Sequence, residues 1–410
     1  MGFCLAAAGR RQPGAGWHKK MKILFLAPQP FFRVRGTPIN IRSLVTALGE
    51  AGHEVDLVCY PYGEDVHIPG VRIHRVRRLP WVKDVKVGPS LAKIPLDLLI
   101  FFKAWNLLSR NRYDVIHAVE ESAFMALWLK RRFRCHFIYD MDSHISNQLR
   151  YTGFLSSGPV LALVRRMEKS ACRGADLVIT VCPSLTETVT RIAPEARVVQ
   201  IEDAPLQASF HEDGEGAKRL RSQLGIGNRP AVVYTGNLES YQGVALLVRA
   251  ARQVVEKIPE VCFVIVGGEP YQVSSLVQLT KQLQLEDNVI FTGKRPLEEM
   301  PAFMTLATLL VSPRVSGENT ALKLYTYMQS GRPIVATRLP THTQVLDDTC
   351  AVLVAPDPSM LAEGILQVLR DPLHARTLAR EATARVAARY SLASFKYKVR
   401  QAYRLLESSR

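Results

Sequence analysis

Short runs of β-branched and aromatic residues alternate along this chain with longer stretches whose apolar positions recur every three to four residues. The short runs predict strands at Lys22–Ala27, Glu54–Val58, Val115–Ala118, His136–Asp140, Leu177–Val181 and Val198–Ile201. The pattern fades, then restarts with strands at Ala231–Thr235, Cys262–Val266, Val289–Thr292, Thr308–Val311, Pro333–Ala336 and Ala351–Val354. Strand–helix alternation of this kind predicts a parallel sheet covered on both faces, and here it occurs twice. The expected fold class is therefore α/β, with two doubly wound domains of similar size facing a cleft. Each half opens with a buried strand, a Gly-containing loop and a helix. The loops are Gly36-Thr37 in the first half and Gly236 to Gly243 in the second.

Residues 21–205 are assigned to the first domain and 231–390 to the second, with a polar, Gly-containing linker at 206–230. Phe395, Val399, Ala402, Tyr403 and Leu406 share one helical face, so 391–410 reads as a crossover helix returning to the first domain. The start, MGFCLAAAGRRQPGAGWHKK, has an apolar patch followed by Arg10 and Arg11, the wrong order for a secretory signal. Residues 1–20 are expected to be a disordered tail or an over-extended start.

Composition narrows the partners. Of the 410 residues, 47% are hydrophobic and 22% charged, which excludes wholesale disorder. The net charge of +16 favours anionic partners: nucleic acid, acidic lipid or phosphorylated small molecules. The seven cysteines are scattered, form no CxxC pair and read as reduced core thiols in a cytosolic protein. No uncharged apolar run reaches the ~18–20 residues a spanning helix needs, because Ile94–Leu108 is interrupted by Asp97 and Lys103.

The densest chemical signal is SPRVSGENTALKLYTYMQSGRPIVAT, Ser312–Thr337. A strand ends near Val311, a loop holds Arg314, Gly317 and Glu318, and a helix is expected to start near Asn319 or Thr320, either of which can cap it. Its amides would face an anion. Lys323 and Thr326 fall one turn apart on one face. The bland reading is an ordinary βαβ crossover.

This stretch resembles the signature of retaining glycosyltransferases of family 4, which have the GT-B fold of two Rossmann-like domains. That family reads E-G-F-G, a short apolar run, then E-A-M-A-x-G-x-P-V-V-A; Met328, Gly331, Pro333 and Ala336 match. The first Glu of the family's E-x7-E pair falls on Glu318 and the second on Thr326, a departure. MKILFLAP with RGTP, DVIHA, ADLVITVCPSLTE and VVYTGNLESYQG follow the family's order over roughly residues 21–406. The family's Arg and Lys in that last loop become Asn237 and Gln242.

The resemblance implies transfer of a sugar from a nucleotide-sugar to a glycan or lipid-linked acceptor, with retained configuration. Lys323, Arg314 and the helix amides would neutralise the diphosphate, Glu318 would hold donor-sugar hydroxyls and Thr326 the ribose. Gly36, Thr37, Gly236, Asn237, Gln242, Gly317, Asn319 and Thr320 would complete the donor side. Glu120, Asp142 and His144 are candidates on the acceptor side, where Asp140 in YDMDSH is a neighbour and a solvated loop is the alternative. Asp140-Met141-Asp142 also reads as a D-x-D metal motif, but three residues are a weak match, and neither an obligatory metal nor a cofactor is expected. His342 either reaches the donor or packs. No G-x-G-x-x-G follows a strand, and no P-loop is present.

Basic residues beside Trp81, Trp105, Phe101, Phe102 and Trp128 crowd Val71–Lys86 and Trp128–Phe137, suiting either an anionic membrane surface or a solvated basic face. No nucleic-acid reading module accompanies them. The expected location is the cytoplasm, peripherally at the membrane if that surface docks. Two alternatives stay open: a nucleotide-sugar epimerase, and a non-catalytic binding protein with a degenerate donor site.

Overall fold

The computed structural model of the protein describes residues 20–33, 36–82, 85, 90–151, 158–205 and 207–407. Two all-parallel sheets form the core of the molecule. The first contains β1 (Lys22–Ala27), β2 (Glu54–Cys59), β3 (Val71–Arg75), β4 (Val115–Val119), β5 (His136–Met141), β6 (Leu177–Thr180) and β7 (Val198–Gln200), in the order β3-β2-β1-β4-β5-β6-β7. The second contains β8 (Ala231–Thr235), β9 (Cys262–Val266), β10 (Val289–Gly293), β11 (Leu309–Ser312), β12 (Ile334–Thr337) and β13 (Val352–Val354), in the order β10-β9-β8-β11-β12-β13. Strands such as Val115–Val119 and Cys262–Val266 are buried along their whole length, as expected of strands covered on both faces.

The helices of the first half are α1 (Gly36–Glu50), α2 (Lys93–Arg110), α3 (Ser122–Phe133), α4 (Ile145–Tyr151), α5 (Pro159–Gly174) and α6 (Pro183–Ile192). Those of the second are α7 (Gly214–Gln223), α8 (Val244–Val255), α9 (Pro270–Gln282), α10 (Met300–Leu306), α11 (Lys323–Gln329), α12 (Pro340–Thr343), α13 (Pro358–Arg370) and α14 (Pro372–Arg389), followed by α15 (Leu392–Glu407). Each sheet carries an apolar layer on both faces, with Leu24, Ile116 and Phe137 in one layer of the first and Ile23, Phe25 and Val115 in the other. Burying each such side chain contributes about 1.5–3 kcal/mol.

The sequence missed β3. Its Arg72, His74 and Arg75 read as part of a basic surface, yet Arg72 and His74 pair with Asp56 at 3.1 and 2.7 Å, and Arg75 pairs with Asp65 at 3.1 Å. An edge strand tolerates such residues because one of its sides faces solvent. The expected linker at 206–230 is also corrected. It contains α7, capped by Asp213 and packed against α10, with Ala217 and Leu220 in the second domain's core. The six described cysteines are buried and free, while Cys4 and the tail at 1–19 lie outside the described residues.

The last helix returns to the first domain. Phe395, Val399, Ala402, Tyr403 and Leu406 join the core beneath α1, and Lys396 reaches Glu50 at 2.5 Å. Tyr403 Oη meets His117 Nδ1 at 2.8 Å, and His117 Nε2 lies 3.0 Å from Asp140.

Candidate functional site

In each sheet the strand order reverses beside its first strand: between β1 and β4, and between β8 and β11. Crossovers leave in opposite directions there, which opens a crevice at the carboxyl ends of the strands. The segments after these four strands carry most of the candidate residues: Gly36 and Thr37 after β1, which open α1 where a loop was expected, Glu120 after β4, Gly236 to Gln242 after β8, and Arg314 to Thr320 after β11.

On the second-domain side, the centre is a pair of cations. Lys323 Nζ donates to Gln242 Oε1 at 3.1 Å and lies 3.8 Å from the centre of the Tyr234 ring. Arg314 donates to Thr341 Oγ1 at 2.7 Å and to Asn319 O at 3.3 Å, with Nε 3.5 Å from the same Gln242 Oε1. Among the described residues neither has a carboxylate partner. Burial, and then Arg314, hold the Lys323 amine well below its ordinary range, and burial also lowers Arg314. Two cations compressed around one amide oxygen form a site that an anion would relieve. The backbone is shaped to this end. Gly236 has φ +140°, and a Cβ there would come 2.8 Å from Lys323 Nζ. Gly243, at φ +71°, lies under Pro313 so closely that a Cβ would sit 1.9 Å from its carbonyl oxygen.

Several expected roles move. The helix after the Arg314 loop begins at Lys323, not at Asn319 or Thr320, and no side chain caps it. Asn319 instead donates across the cleft to Asp142 O, and Thr320 is buried. Asn237 turns its Oδ1 to its own loop, accepting from Glu239 N at 3.3 Å. Thr326 borders a hollow with Gln207, Phe210 and Met304. His342 packs: it bridges Ser312 Oγ (2.8 Å) and Thr337 O (2.6 Å), and burial pushes it down to about 3, so it is neutral at physiological pH. At Gly36 a Cβ would meet only open space, so the fold itself does not demand glycine there.

The first-domain side is acidic. Glu120 is buried, with Gln29 donating to it at 2.8 Å and Ser143 at 3.0 Å. Burial, reinforced by Glu121, raises its carboxyl to about 7. Asp142 accepts from Asn40 Nδ2 at 2.9 Å and from Thr37, while burial and Asp140 raise it to about 6. Asp140 and Asp142 diverge, one toward His117 and the other toward α1, so the D-x-D spacing does not make a convergent pair. His144 is held by the fully buried Glu168 at 3.1 Å and leaves Nδ1 buried without a hydrogen-bond partner.

Glu318 stands where the two sides meet. Asn147 of α4 donates to its carboxylate at 3.0 Å, and Ser184 and Gln344 donate to its backbone oxygen at 3.2 and 2.8 Å. Gly317 precedes it in an exposed turn at φ +132°.

Sequence reasoning did not single out Asn40, Asn147, Ser184, Gln344 or Glu168. Only Glu168 left a trace, as a carboxylate on the apolar stripe of α5 with Leu161, Ala171 and Cys172. The others are polar residues in or beside helices: Asn40 bonds within the first domain, and Asn147, Ser184 and Gln344 meet at Glu318 only once the domains face each other.

Comparison with known proteins agrees with this architecture. A family described as "Glycosyl transferase 4-like domain" matches residues 35–204, and one described as "Glycosyl transferases group 1" matches 229–371. The GDP-mannose-dependent alpha-(1-6)-phosphatidylinositol monomannoside mannosyltransferase of Mycolicibacterium smegmatis is 29% identical over 177 residues, covering 41% of this chain and 46% of that protein. The chain thus spans about half the length of that relative. The alpha-monoglucosyldiacylglycerol synthase of Streptococcus pneumoniae is 23% identical over 362 residues, 85% of this chain and 78% of that protein. Among solved structures, sucrose-phosphate synthase from Thermosynechococcus elongatus superposes with a TM-score of 0.80 at 23% identity, covering 95% and 100% of the two chains. With two parallel-sheet domains meeting at their switch points and both halves matched, the chain belongs to the family 4 glycosyltransferases of GT-B fold.

Proposed function

We propose that the protein transfers a glycosyl group from a nucleotide-sugar held by the second domain to an acceptor held by the first. The observation that carries this reading is the Arg314–Lys323 pair, two partly buried cations sharing Gln242 with no carboxylate beside them among the described residues. A leaving nucleoside diphosphate supplies the missing negative charge, and stabilising that growing charge is the dominant electrostatic term in such transfers. These cations take the place of the family's Arg and Lys, which here are Asn237 and Gln242. Glu318, fixed by Asn147 from the other domain, binds the donor sugar, and retention of configuration follows from the family resemblance.

The acceptor lies against Glu120, Asp142 and His144. Two relatives whose names specify phosphatidylinositol or diacylglycerol compounds favour a lipid-linked acceptor over a free glycan. Among the described residues no helix is long and apolar enough to cross a membrane. In this reading such an acceptor is met at the surface of the bilayer, on its cytoplasmic side.

Isothermal titration against a panel of nucleoside diphosphates and nucleotide-sugars, followed by product analysis with lipid extracts, tests the proposal. The expected result is saturable binding of one base with glycosylated lipid as product. A free altered sugar would indicate an epimerase, and absence of nucleotide binding would overturn the reading.

A further inference from the structure

We infer that α2, α3 and α5 together form a face that docks on an anionic lipid bilayer. The inference rests on the proposed transferase reading only for what the docking serves, delivery of the cleft to a lipid-linked acceptor. The three helices lie side by side on one face of the first sheet, α2 against α3 and α3 against α5. On α2, Ile94, Leu98 and Phe102 recur every four residues, and each is more than half exposed (56%, 55% and 63%). A helix that merely covers a sheet turns that many large apolar groups inward. Trp128 of α3 continues the stripe, half exposed and stacked at 5.2 Å on Trp105, and α5 adds Leu163 and Met167.

The charge on this layer has one sign. Arg110, Arg131, Arg132, Arg165, Arg166 and Lys169 are exposed on the three helices. Their two carboxylates are turned inward: Asp97 accepts from Tyr60 at 2.6 Å, and Glu168 binds the start of α4. Among the described residues of these helices no acidic side chain is left facing solvent. In the second domain, by contrast, exposed Met360 and Leu373 are separate residues on helices that mix both signs of charge. A basic surface with a continuous apolar stripe matches an anionic bilayer, whose headgroups neutralise the arginines while its acyl boundary accepts Phe102 and Leu98. Nucleic acid would leave the apolar stripe unmatched.

This location keeps one of the two stretches the sequence suggests, Trp128–Phe137 on α3, and shifts the other from Val71–Lys86 to α2 and α5. The charges of β3 are consumed by Asp56 and Asp65, and Trp105 is packed inside its aromatic cluster. Lys83 and Lys86 lie outside the described residues. The face also has a direction. The amino ends of α2 and α3 lie at the carboxyl edge of the sheet, where Lys93 meets Glu121 at 3.1 Å. Leu91, just before α2, is exposed at that end (69%). Docking of this face therefore lays α2, α3 and α5 along the leaflet, with the cleft, Glu120 and Asp142 at one end of it.

The test is sedimentation of the full chain with vesicles of phosphatidylcholine alone or with about one third phosphatidylglycerol, at low and high salt. The wild-type protein should prefer anionic vesicles and keep a salt-resistant remainder. Leu98→Ser/Phe102→Ser should remove that remainder. Arg131→Glu/Arg132→Glu/Arg165→Glu/Arg166→Glu should lower anionic binding at least ~10-fold. Arg376→Glu/Arg380→Glu, on α14 of the other domain, should change it little, which separates a defined face from net charge and from the basic residues at 1–19. Equal sedimentation with both vesicles, sedimentation with neither, or equal loss in the α14 variant would overturn the inference. Nucleotide affinity, measured without lipid, should be unchanged in the α2 and arginine variants. Its absence from the wild-type protein would defeat the transferase reading and leave the docking result standing.

Discussion

The two sides of the cleft are built on the same switch-point geometry but carry opposite buried charge. Glu120 and Asp142 rest on the first domain with carboxyls held up to about 7 and 6, and Asp203 beside them is raised further by burial and by Asp142. Arg314 and Lys323 rest on the second with both groups pushed down. Crowding like charges in a partly dry site costs free energy on either side. The difference teaches that the two sides have opposite needs, which on the proposed reading suit an anion on the cationic side and hydroxyls that need hydrogen-bond acceptors on the acidic side.

The largest expected effect comes from the residue that joins the two sides. Glu318→Gln should lower transfer at least ~10²-fold while nucleotide affinity stays nearly constant, because its proposed contact is with the reacting sugar. Comparable turnover, in a variant shown to bind nucleotide, would take Glu318 out of the site. Next, Lys323→Ala should weaken nucleoside-diphosphate binding by about 1.5–3 kcal/mol, the scale of a charged hydrogen bond. Burial holds its amine low in the empty site and a bound diphosphate would raise it again, so any proton exchange on binding should be uptake, smaller in the variant. Titration in buffers of different ionisation enthalpy reads both quantities, and unchanged affinity would show that another group neutralises the diphosphate.

The acidic side predicts a stability effect of the opposite sign to the usual carboxylate. Glu120 keeps its proton in the fold up to about 7, whereas the unfolded chain releases it near its ordinary value. The folded state then binds more protons across that window, so this group removes stability as pH rises through it. Glu120→Gln should therefore raise the Tm at about pH 8, with unfolding free energy up by on the order of 2 kcal/mol, and leave it little changed at about pH 4. A Tm that falls at the higher pH would mean the ionised carboxylate is well solvated. The smallest effect concerns α15. Tyr403→Phe leaves His117 Nδ1 buried without its partner and should cost about 1–2 kcal/mol in chemical denaturation, with nucleotide affinity unaltered.

How legible this was differs by element. Twelve of the strands coincide closely with β-branched runs, because buried parallel strands need apolar residues on both faces. The edge strand β3 did not stand out, since VRIHR looks like a charged surface until Asp56 and Asp65 are seen beside it. Helix α7 was hidden by a polar sequence, GEGAKRLRSQ, whose few apolar residues find their core only against α10. Lys323 was legible as a cation near the donor loop, but its bond to Gln242 and its place over Tyr234 were not.

Periodicity, turn residues and the Ser312–Thr337 motif determined from the chain alone that two α/β domains would form, that the last helix would return to the first, and which segments would border the crevice. These are local properties, set by hydrophobic pattern and backbone preference over a few residues. The tertiary structure decided what those segments do to one another. Asn147 reaches Glu318 across 171 positions of sequence, and Glu168 reaches His144 from a different helix. It also decided which basic residues stay exposed on α2, α3 and α5 and which are neutralised on β3. Such pairings depend on how two sheets and their helices pack, and no short-range pattern encodes that distance.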